Sequence, residues 1–257
     1  MSEYISSEDR QTDIVTLLLR QGRLSVAEIV EQFGVSEATA RRDLETLAEQ
    51  GKIRRVHGGA LPIKQAPPEL PILQREQEQF FEKQSIGQAA AALVRDGETV
   101  FLGSGTTVLE IARNLRSRQN LTVITNSLPV MNTLANLPGI TLVALGGMLR
   151  PSELSFIGHI TEQALAEVRA DKVIIGVHAI SLEHGLTNDY LPETMTDRAI
   201  LKAGRQVIVA ADHTKINAVA TAFLAPLESI HALVTDSQAP PDFLAALRER
   251  GIAVHLA

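Results

Sequence analysis

Residues 35–60 read VSEATARRDLETLAEQGKIRRVHGGA, and their spacing predicts a helix followed by a basic hairpin. Ser36 is a good N-cap, because its hydroxyl can accept a bond from a free N–H of the first helical turn. Ala40, Leu44 and Leu47 recur at i, i+4 and i+7 and form one apolar face. At about 100° per residue, Arg42 points nearly opposite that face and Arg41 lies on its flank. Gly51 stands where a left-handed C-terminal cap belongs. K-I-R-R-V-H-G-G-A then reads as a short strand with alternating basic side chains running into a Gly-Gly turn. Such a helix suits a DNA major groove, and such a hairpin suits the phosphate backbone. An Arg-Arg pair on a solvated surface helix is the plain alternative.

The preceding residues favour the DNA reading. Ser6 and Ser7 are candidate caps for a helix over residues 8–20 that carries Ile14, Leu17 and Leu18, and Gly22 closes it. Ser25 and Glu28 form a capping box. Ile29 and Phe33 follow at i, i+4, and Gly34 turns the chain toward Val35. Helix, tight turn with Gly and second capped helix is helix-turn-helix spacing, and the hairpin adds a wing.

The charge balance agrees. A formal net charge of -6 counts mildly against a protein that coats nucleic acid by bulk charge alone. Binding has to come from a local cluster: Arg41, Arg42, Lys52, Arg54 and Arg55 outnumber Asp43, Glu45 and Glu49. With 7 Phe, 2 Tyr and no Trp, little is available to stack single-stranded bases, so a duplex partner is expected. The absence of cysteine rules out disulfides and thiolate metal sites. The first residues, MSEYISSEDR, lack the apolar core of a signal peptide, and no apolar run approaches the roughly 20 residues of a membrane span. A cytoplasmic protein with no membrane partner is the expectation.

G-R-L-S-V-A-E-I-V-E-Q-F-G-V-S-E-A-T-A-R-R-D-L through R-V-H-G-G-A resembles the N-terminal domain of the DeoR-type regulators of sugar metabolism. V-S-x-x-T-x-R-R-D-L and R-V-H-G-G-A carry most of that likeness. Ala40 departs from it, standing where the family usually has a larger aliphatic residue. The expected DNA-contact set is Ser25, Ser36, Glu37, Thr39, Arg41 and Arg42, with Arg54, Arg55, His57, Gly58 and Gly59 in the wing.

Residues 61–75 hold Pro62, Pro67, Pro68 and Pro71 and predict an extended linker between a head at 1–60 and a second domain at 76–257. Residues 76–94 return to a helical pattern with Phe80, Ile86, Ala90 and Leu93. Apolar runs at 98–102, 121–125, 140–145, 171–177, 206–210, 231–236 and 252–256 then alternate with helical patterns near 107–116, 128–136, 160–168, 193–203 and 242–250. Nearly continuous apolar strands separated by helices imply a parallel sheet covered on both faces, an α/β domain.

Ligands of open α/β sheets bind beyond the C-terminal strand ends. G-S-G-T-T (103–107) follows the first strand; it reads as a tight turn or as a phosphate-binding helix N-terminus. T-N-S (125–127), Gly146-Gly147 and A-D-H-T-K (211–215) follow three others. Together these small polar loops suit a hydroxylated, anionic ligand. Arg150 is a candidate phosphate contact or a solvated loop residue. Asn188 and Glu193 are candidates for a pocket mouth, and Glu193 after Pro192 equally suits a helix N-terminus. The remaining histidines show no metal-ligand spacing, so neither metal nor cofactor is expected.

The resemblance extends over essentially the whole chain through E-K-x-x-I-G, D-G-x-x-x-x-L-x-S-G-T-T, T-N-S, G-G-x-L-R and D-x-T-K. It implies an effector domain similar in fold to ribose-5-phosphate isomerase, with a phosphorylated sugar or relative as ligand. Carried over by motif, the effector positions are Gly103, Ser104, Gly105, Thr106 and Thr107, then Asn126, Ser127, Gly146 and Gly147, then Asp212 and Lys215. Gly103 departs from the family's frequent Asp, and His178, where a small residue is commoner, narrows the pocket or adds a bond. The function expected is a ligand-responsive repressor that binds operator DNA as a homo-oligomer, dimer or tetramer. The competing reading is a sugar-phosphate isomerase with a fused head. That reading needs a carboxylate as general base, yet the loop after DKVIIGV opens V-H-A-I-S with Glu183 its first acid. Asp212 with Lys215 is the remaining acid/base pair.

Overall fold

The computed structural model describes residues 6–62, 64–65 and 70–257. The chain divides between Lys64 and Gln65 into two compact units. The expected linker prolines Pro67 and Pro68, and the N-terminal residues MSEYI, lie outside the described residues.

The first unit is a winged helix-turn-helix. Its elements are α1 (Ser7–Gln21), β1 (Leu24–Ser25), α2 (Val26–Phe33), α3 (Glu37–Glu49), β2 (Ile53–Val56) and β3 (Gly59–Pro62). Ser6 caps α1 by accepting from Asp9 N–H, Ser25 and Glu28 close the capping box of α2, and Ser36 caps α3 through Thr39 N–H. Ile14, Leu18, Leu24, Ile29, Ala40, Leu44, Leu47, Ile53 and Ala60 form its core. The small Ala40 is fully buried there. The expected head boundary at residue 60 falls two residues short: Leu61 and Pro62 pair with Arg54 and Ile53 and finish the wing. Proline is tolerated there because it is the last residue of β3, beyond Gly59 and Ala60, the residues that pair with β1.

Asp43 is the one acid of α3 turned inward. It takes Arg10 through Nε at 2.6 Å and Nη2 at 3.1 Å, and Gln11 Nε2 at 3.0 Å. The forked pair fixes the relative rotation of α1 and α3, which sets the face α3 presents.

The second unit runs through α4 (Ile72–Arg75), α5 (Phe80–Ala92), β4 (Thr99–Leu102), α6 (Thr106–Leu115), β5 (Leu121–Thr125), α7 (Leu128–Leu134), β6 (Ile140–Ala144), β7 (Met148–Arg150), β8 (Ser155–Ile157), α8 (His159–Ala166), β9 (Ala170–Ile175), β10 (Ala179–Ser181), β11 (Gly185–Asn188), α9 (Leu191–Lys202), β12 (Gly204–Ala210), β13 (Ala222–Ala225), β14 (Ala232–Thr235), α10 (Pro241–Glu249) and β15 (Ala253–Leu256). Residues 72–75, expected in the linker, are this helical turn, and Ile72 and Arg75 are buried.

Seven parallel strands form the central sheet in the order β15-β14-β12-β9-β4-β5-β6. Side-chain alternation feeds a core on each face: Phe101, Val173, Ile175, Val207 and Val209 go to one, Val100, Leu102, Ile174 and Ile208 to the other. A three-stranded antiparallel sheet, β10-β11-β13, and the hairpin β7-β8 sit outside this frame. Strand order places the position where the chain changes direction between β4 and β9: β5 and β6 lie on one side, β12, β14 and β15 on the other. Such a switch point opens a crevice at the C-terminal strand ends.

Candidate functional site

On the first unit, α3 and the wing form the candidate nucleic-acid interface. Arg42 is exposed on the side of α3 away from Ala40, Leu44 and Leu47, which are fully buried. Arg41 is also exposed and pairs with Glu37 at 3.2 Å, one helical turn back. Arg55 Nη1 donates to the Arg41 carbonyl at 3.3 Å, so the wing is tied to the helix by a basic side chain at the same surface. Arg54 is half-buried, and His57 and Gly58 form the exposed hairpin tip. Gly59 is different in kind. A Cβ there would lie 2.3 Å from the Leu24 carbonyl oxygen, so this glycine serves the close approach of β3 to β1. Ser25 engages Glu28 through both its N–H and its hydroxyl at 2.6 Å, which makes it first a cap. The Ser25 hydroxyl, as the largest cause, holds the Glu28 carboxyl below its ordinary value. Ser36 and Thr39 hold each other through their hydroxyls at 2.8 Å at the start of α3.

On the second unit, a cleft partly open to solvent sits at the switch point, with about 700 Å³ of empty space in it once the open solvent at its mouth is included. Ser104, Gly105, Thr106 and Thr107 from the turn after β4 line it, as do Gly176–His178 after β9 and Ala210–Asp212, Thr214 and Lys215 after β12. Gly105 adopts φ 108 and begins α6 with no side-chain cap. The first-turn N–H groups of that helix are therefore open to an acceptor, and the helix dipole favours a negative one. Asp212 is buried and accepts from Thr214 N–H at 3.0 Å and from the Thr214 hydroxyl. It thereby shapes the one-turn helix His213–Lys215 that presents Lys215.

Further lining residues come from segments that were not expected to contribute. Arg75, Glu78, Gln79 and Lys83 enter from α4, α5 and the turn between them, and Glu153 from the β7–β8 loop. Lys83 Nζ is buried and donates to the Arg75 carbonyl at 2.6 Å. Its pKa is pushed below the ordinary lysine value, chiefly by burial, while the Asp212 charge opposes that shift. Arg75 pairs with Glu153, and its Nε donates to the Leu70 carbonyl at 2.8 Å. The E-K-x-x-I-G motif around Lys83 was the signal available for that residue; Arg75 and Glu153 carried none.

Amides and acids line the cleft as well. Asn188 donates to Asp197 at 2.8 Å and meets the His178 N–H at 3.4 Å. His178 Nε2 is 3.9 Å from Asp189. Glu193 holds Arg150 and accepts from Ser155 at 2.7 Å. Arg150, in turn, stacks over the Tyr190 ring at 4.5 Å, so its charge is matched inside the wall.

Five expected effector positions stay off the cleft. A Cβ on Gly103 would touch Ile175 Cγ2 at 3.1 Å, so this glycine serves the packing of β4 on β9. Asn126 and Ser127 are buried beneath the β7–β8 hairpin: Asn126 Nδ2 donates to the Phe156 carbonyl at 3.0 Å, and Ser127 bridges Ser155. The Gly146 carbonyl accepts from Thr161 Oγ1 at 2.9 Å. A Cβ on Gly147 would come 2.1 Å from the same oxygen. These four follow β5 and β6, on the far side of β4 from β9, which is why the crevice misses them.

No group of His, Cys, Asp and Glu suited to a metal occurs among the described residues, and no helix there is long and apolar enough to cross a membrane. Glu183 is exposed and off the cleft, and Asp212 lines the cleft with its Oδ1 engaged by Thr214.

Two family models match the chain. The DeoR-like helix-turn-helix domain covers residues 10–66, and the DeoR C terminal sensor domain covers residues 78–237. The chain belongs to the DeoR family. Its DeoR relatives include the transcriptional repressor AccR of Agrobacterium fabrum, 36% identical over 91% of each chain. The glycerol-3-phosphate regulon repressor of Escherichia coli is 33% identical over 96% of this chain and 98% of its own. Among solved structures, ribose 5-phosphate isomerase A of Methanocaldococcus jannaschii matches 52% of this chain and 53% of its own with a TM-score of 0.39 and 19% identity. This DeoR-family chain is a transcriptional regulator rather than an enzyme, with a DNA-binding head and a small-molecule sensor domain.

Proposed function

We propose that the chain represses a carbohydrate-metabolism operon as a homo-oligomer on duplex operator DNA, under the control of a phosphorylated sugar or related metabolite bound in the cleft. Arg42 reads a base edge, and Arg41 and the wing arginines follow base or phosphate. Ser104–Thr107 and Lys215 hold the ligand's phosphate, and His178 and Asn188 face its hydroxyl-bearing end.

The observation that carries this reading is the set of groups the cleft gathers. The uncapped N-terminus of α6, Lys215 and the buried Lys83 line it, and so do Asn188, His178 and several carboxylates. Backbone N–H groups and an ammonium are the usual cradle of a phosphate, and carboxylates and amides accept from sugar hydroxyls. A relative at 33% identity is named for a regulon of a small phosphorylated polyol, which is the same ligand class.

Thermal unfolding across a panel of phosphorylated sugars and their dephosphorylated counterparts tests it. A ligand at 100 times its dissociation constant stabilises the folded state by about 2.7 kcal/mol. That raises the sensor domain's melting temperature by roughly 5–10 °C. A phosphorylated compound should do so and its parent sugar should not. Equal shifts from both would refute the phosphate assignment.

A further inference from the structure

Resting on that reading of the cleft as an anion site, we propose that Glu153 is a built-in occupant of the site: its carboxylate faces the Gly105 turn and holds Arg75, and the effector's anion displaces it and takes Arg75 over.

The geometry brings the two competitors to one place. A Cβ built on Gly105 would lie 3.8 Å from Glu153 Oε1, so this carboxylate oxygen stands beside the turn that opens α6. It is also paired with Arg75, and both side chains are at least nine-tenths buried. An anion seated on the N–H groups of α6 therefore meets a fixed negative charge at close range in a poorly solvated cleft, where like charges repel strongly. Arg75 pairs with the other oxygen of this carboxylate, Oε2, and its guanidinium forks as readily to a phosphate as to a carboxylate.

The segments that carry the pair are suited to exchange. Glu153 precedes Leu154, a non-glycine residue at φ 50, a backbone region that side chains disfavour. The 151–154 turn is thus held by its contacts rather than by its own preference. Arg75 belongs to the segment Pro71–Gln79. Ile72 N–H to the Ser152 carbonyl at 2.7 Å and the Arg75–Glu153 pair tie it to the loop that carries Glu153, while Lys83 to the Arg75 carbonyl and Arg113 to Glu76 tie it to α5 and α6. Gln79, at φ 48, closes the segment before α5. Displacing Glu153 removes one of the two ties between this segment and the loop and so loosens it.

The test is calorimetric titration of the full chain with inorganic phosphate and with glycerol 3-phosphate at constant ionic strength. The internal-competitor role predicts opposite signs for two substitutions. Glu153→Gln, nearly the same shape without the charge, should bind both probes at least threefold tighter. Arg75→Gln should bind them at least fivefold weaker. Glu153→Ser gives the same reading if Glu153→Gln does not fold. A purely structural pair predicts weakening in both, and a Glu153 variant that binds as wild type or weaker overturns the proposal. Amide exchange gives a second reading: saturating probe should slow exchange at residues 104–108 and speed it at 71–79. Slowing at 104–108 with no change at 71–79 overturns the exchange while leaving the anion site standing. Absence of binding to wild type and variants alike overturns the anion site itself.

Discussion

Asp43 carries the sharpest stability prediction. Replacing it with alanine leaves Arg10 facing a buried gap, with Gln11 also losing its acceptor. The side chains of Arg10 and Asp43 are 12% and 5% exposed. Removing one partner of a buried, forked pair costs about 3–5 kcal/mol. Arg10 keeps some access to solvent, so about 2–3 kcal/mol is the better expectation. For a unit the length of residues 6–62, roughly 0.05–0.15 kcal/mol per residue gives a total of about 3–9 kcal/mol. Asp43→Ala therefore removes a large share of the head's stability, and its melting should fall by roughly 10–20 °C. Asp43→Asn, which keeps an acceptor, should fall by about half as much. Amide exchange read by segment is the assay: protection should drop over residues 6–62 and hold over the parallel sheet of the second unit. A head that melts within about 2 °C of wild type would show that the pair behaves as a surface ion pair, worth less than about 1 kcal/mol, and that α1 and α3 are held by apolar packing alone.

Other outcomes follow from the same surfaces. Arg42→Ala should lose about 1–3 kcal/mol of discrimination at one operator position, measured by competition against single-base variants; equal losses on operator and random DNA would reduce it to a phosphate contact. Gly59→Ala should destabilise the head by at least about 1–3 kcal/mol, read by thermal melting, because the new Cβ meets a backbone oxygen rather than a movable side chain. Glu28 has a depressed pKa, so the capping box adds stability above the ordinary carboxylate range and loses it as pH falls through the lowered value. Ser25→Ala should therefore melt lower than wild type at pH 7, with the gap closing as the solution is acidified.

The parallel sheet was legible because each strand is buried on both faces and so reads as an unbroken apolar run. ETVFL and DKVIIGV could not be surface strands. The helix-turn-helix was legible through its caps, since Ser25, Glu28, Gly34 and Ser36 mark its corners by chemistry that does not depend on distant contacts. The hairpin β7–β8 and the small sheet β10-β11-β13 were not, because strands of three or four residues carry too little periodicity to read. The cleft was half legible. Ser104–Thr107 follow β4, which borders the switch point, and Lys215 follows β12, the next strand beyond β9. Asn126, Ser127, Gly146 and Gly147 stand at strand ends too, and only strand order shows that theirs lie outside the crevice. Arg75 was hidden by its setting: P-P-E-L-P reads as an extended linker, and nothing local reveals that the next turn folds back against Glu153, 78 residues further on.

The central claim is that occupancy of the cleft controls the grip on DNA. The direct measurement is fluorescence anisotropy of the full chain on duplex DNA from its own promoter region, with and without the phosphorylated sugar that raises its melting temperature, repeated for Lys215→Ala. A ligand switches binding only by favouring one arrangement of the protein over another. Wild type should change its DNA affinity tenfold to a hundredfold, about 1.4–2.7 kcal/mol of coupling. For Lys215→Ala the curves with and without ligand should coincide at the concentration that saturates wild type. A Lys215→Ala chain that responds as fully as wild type would contradict the account.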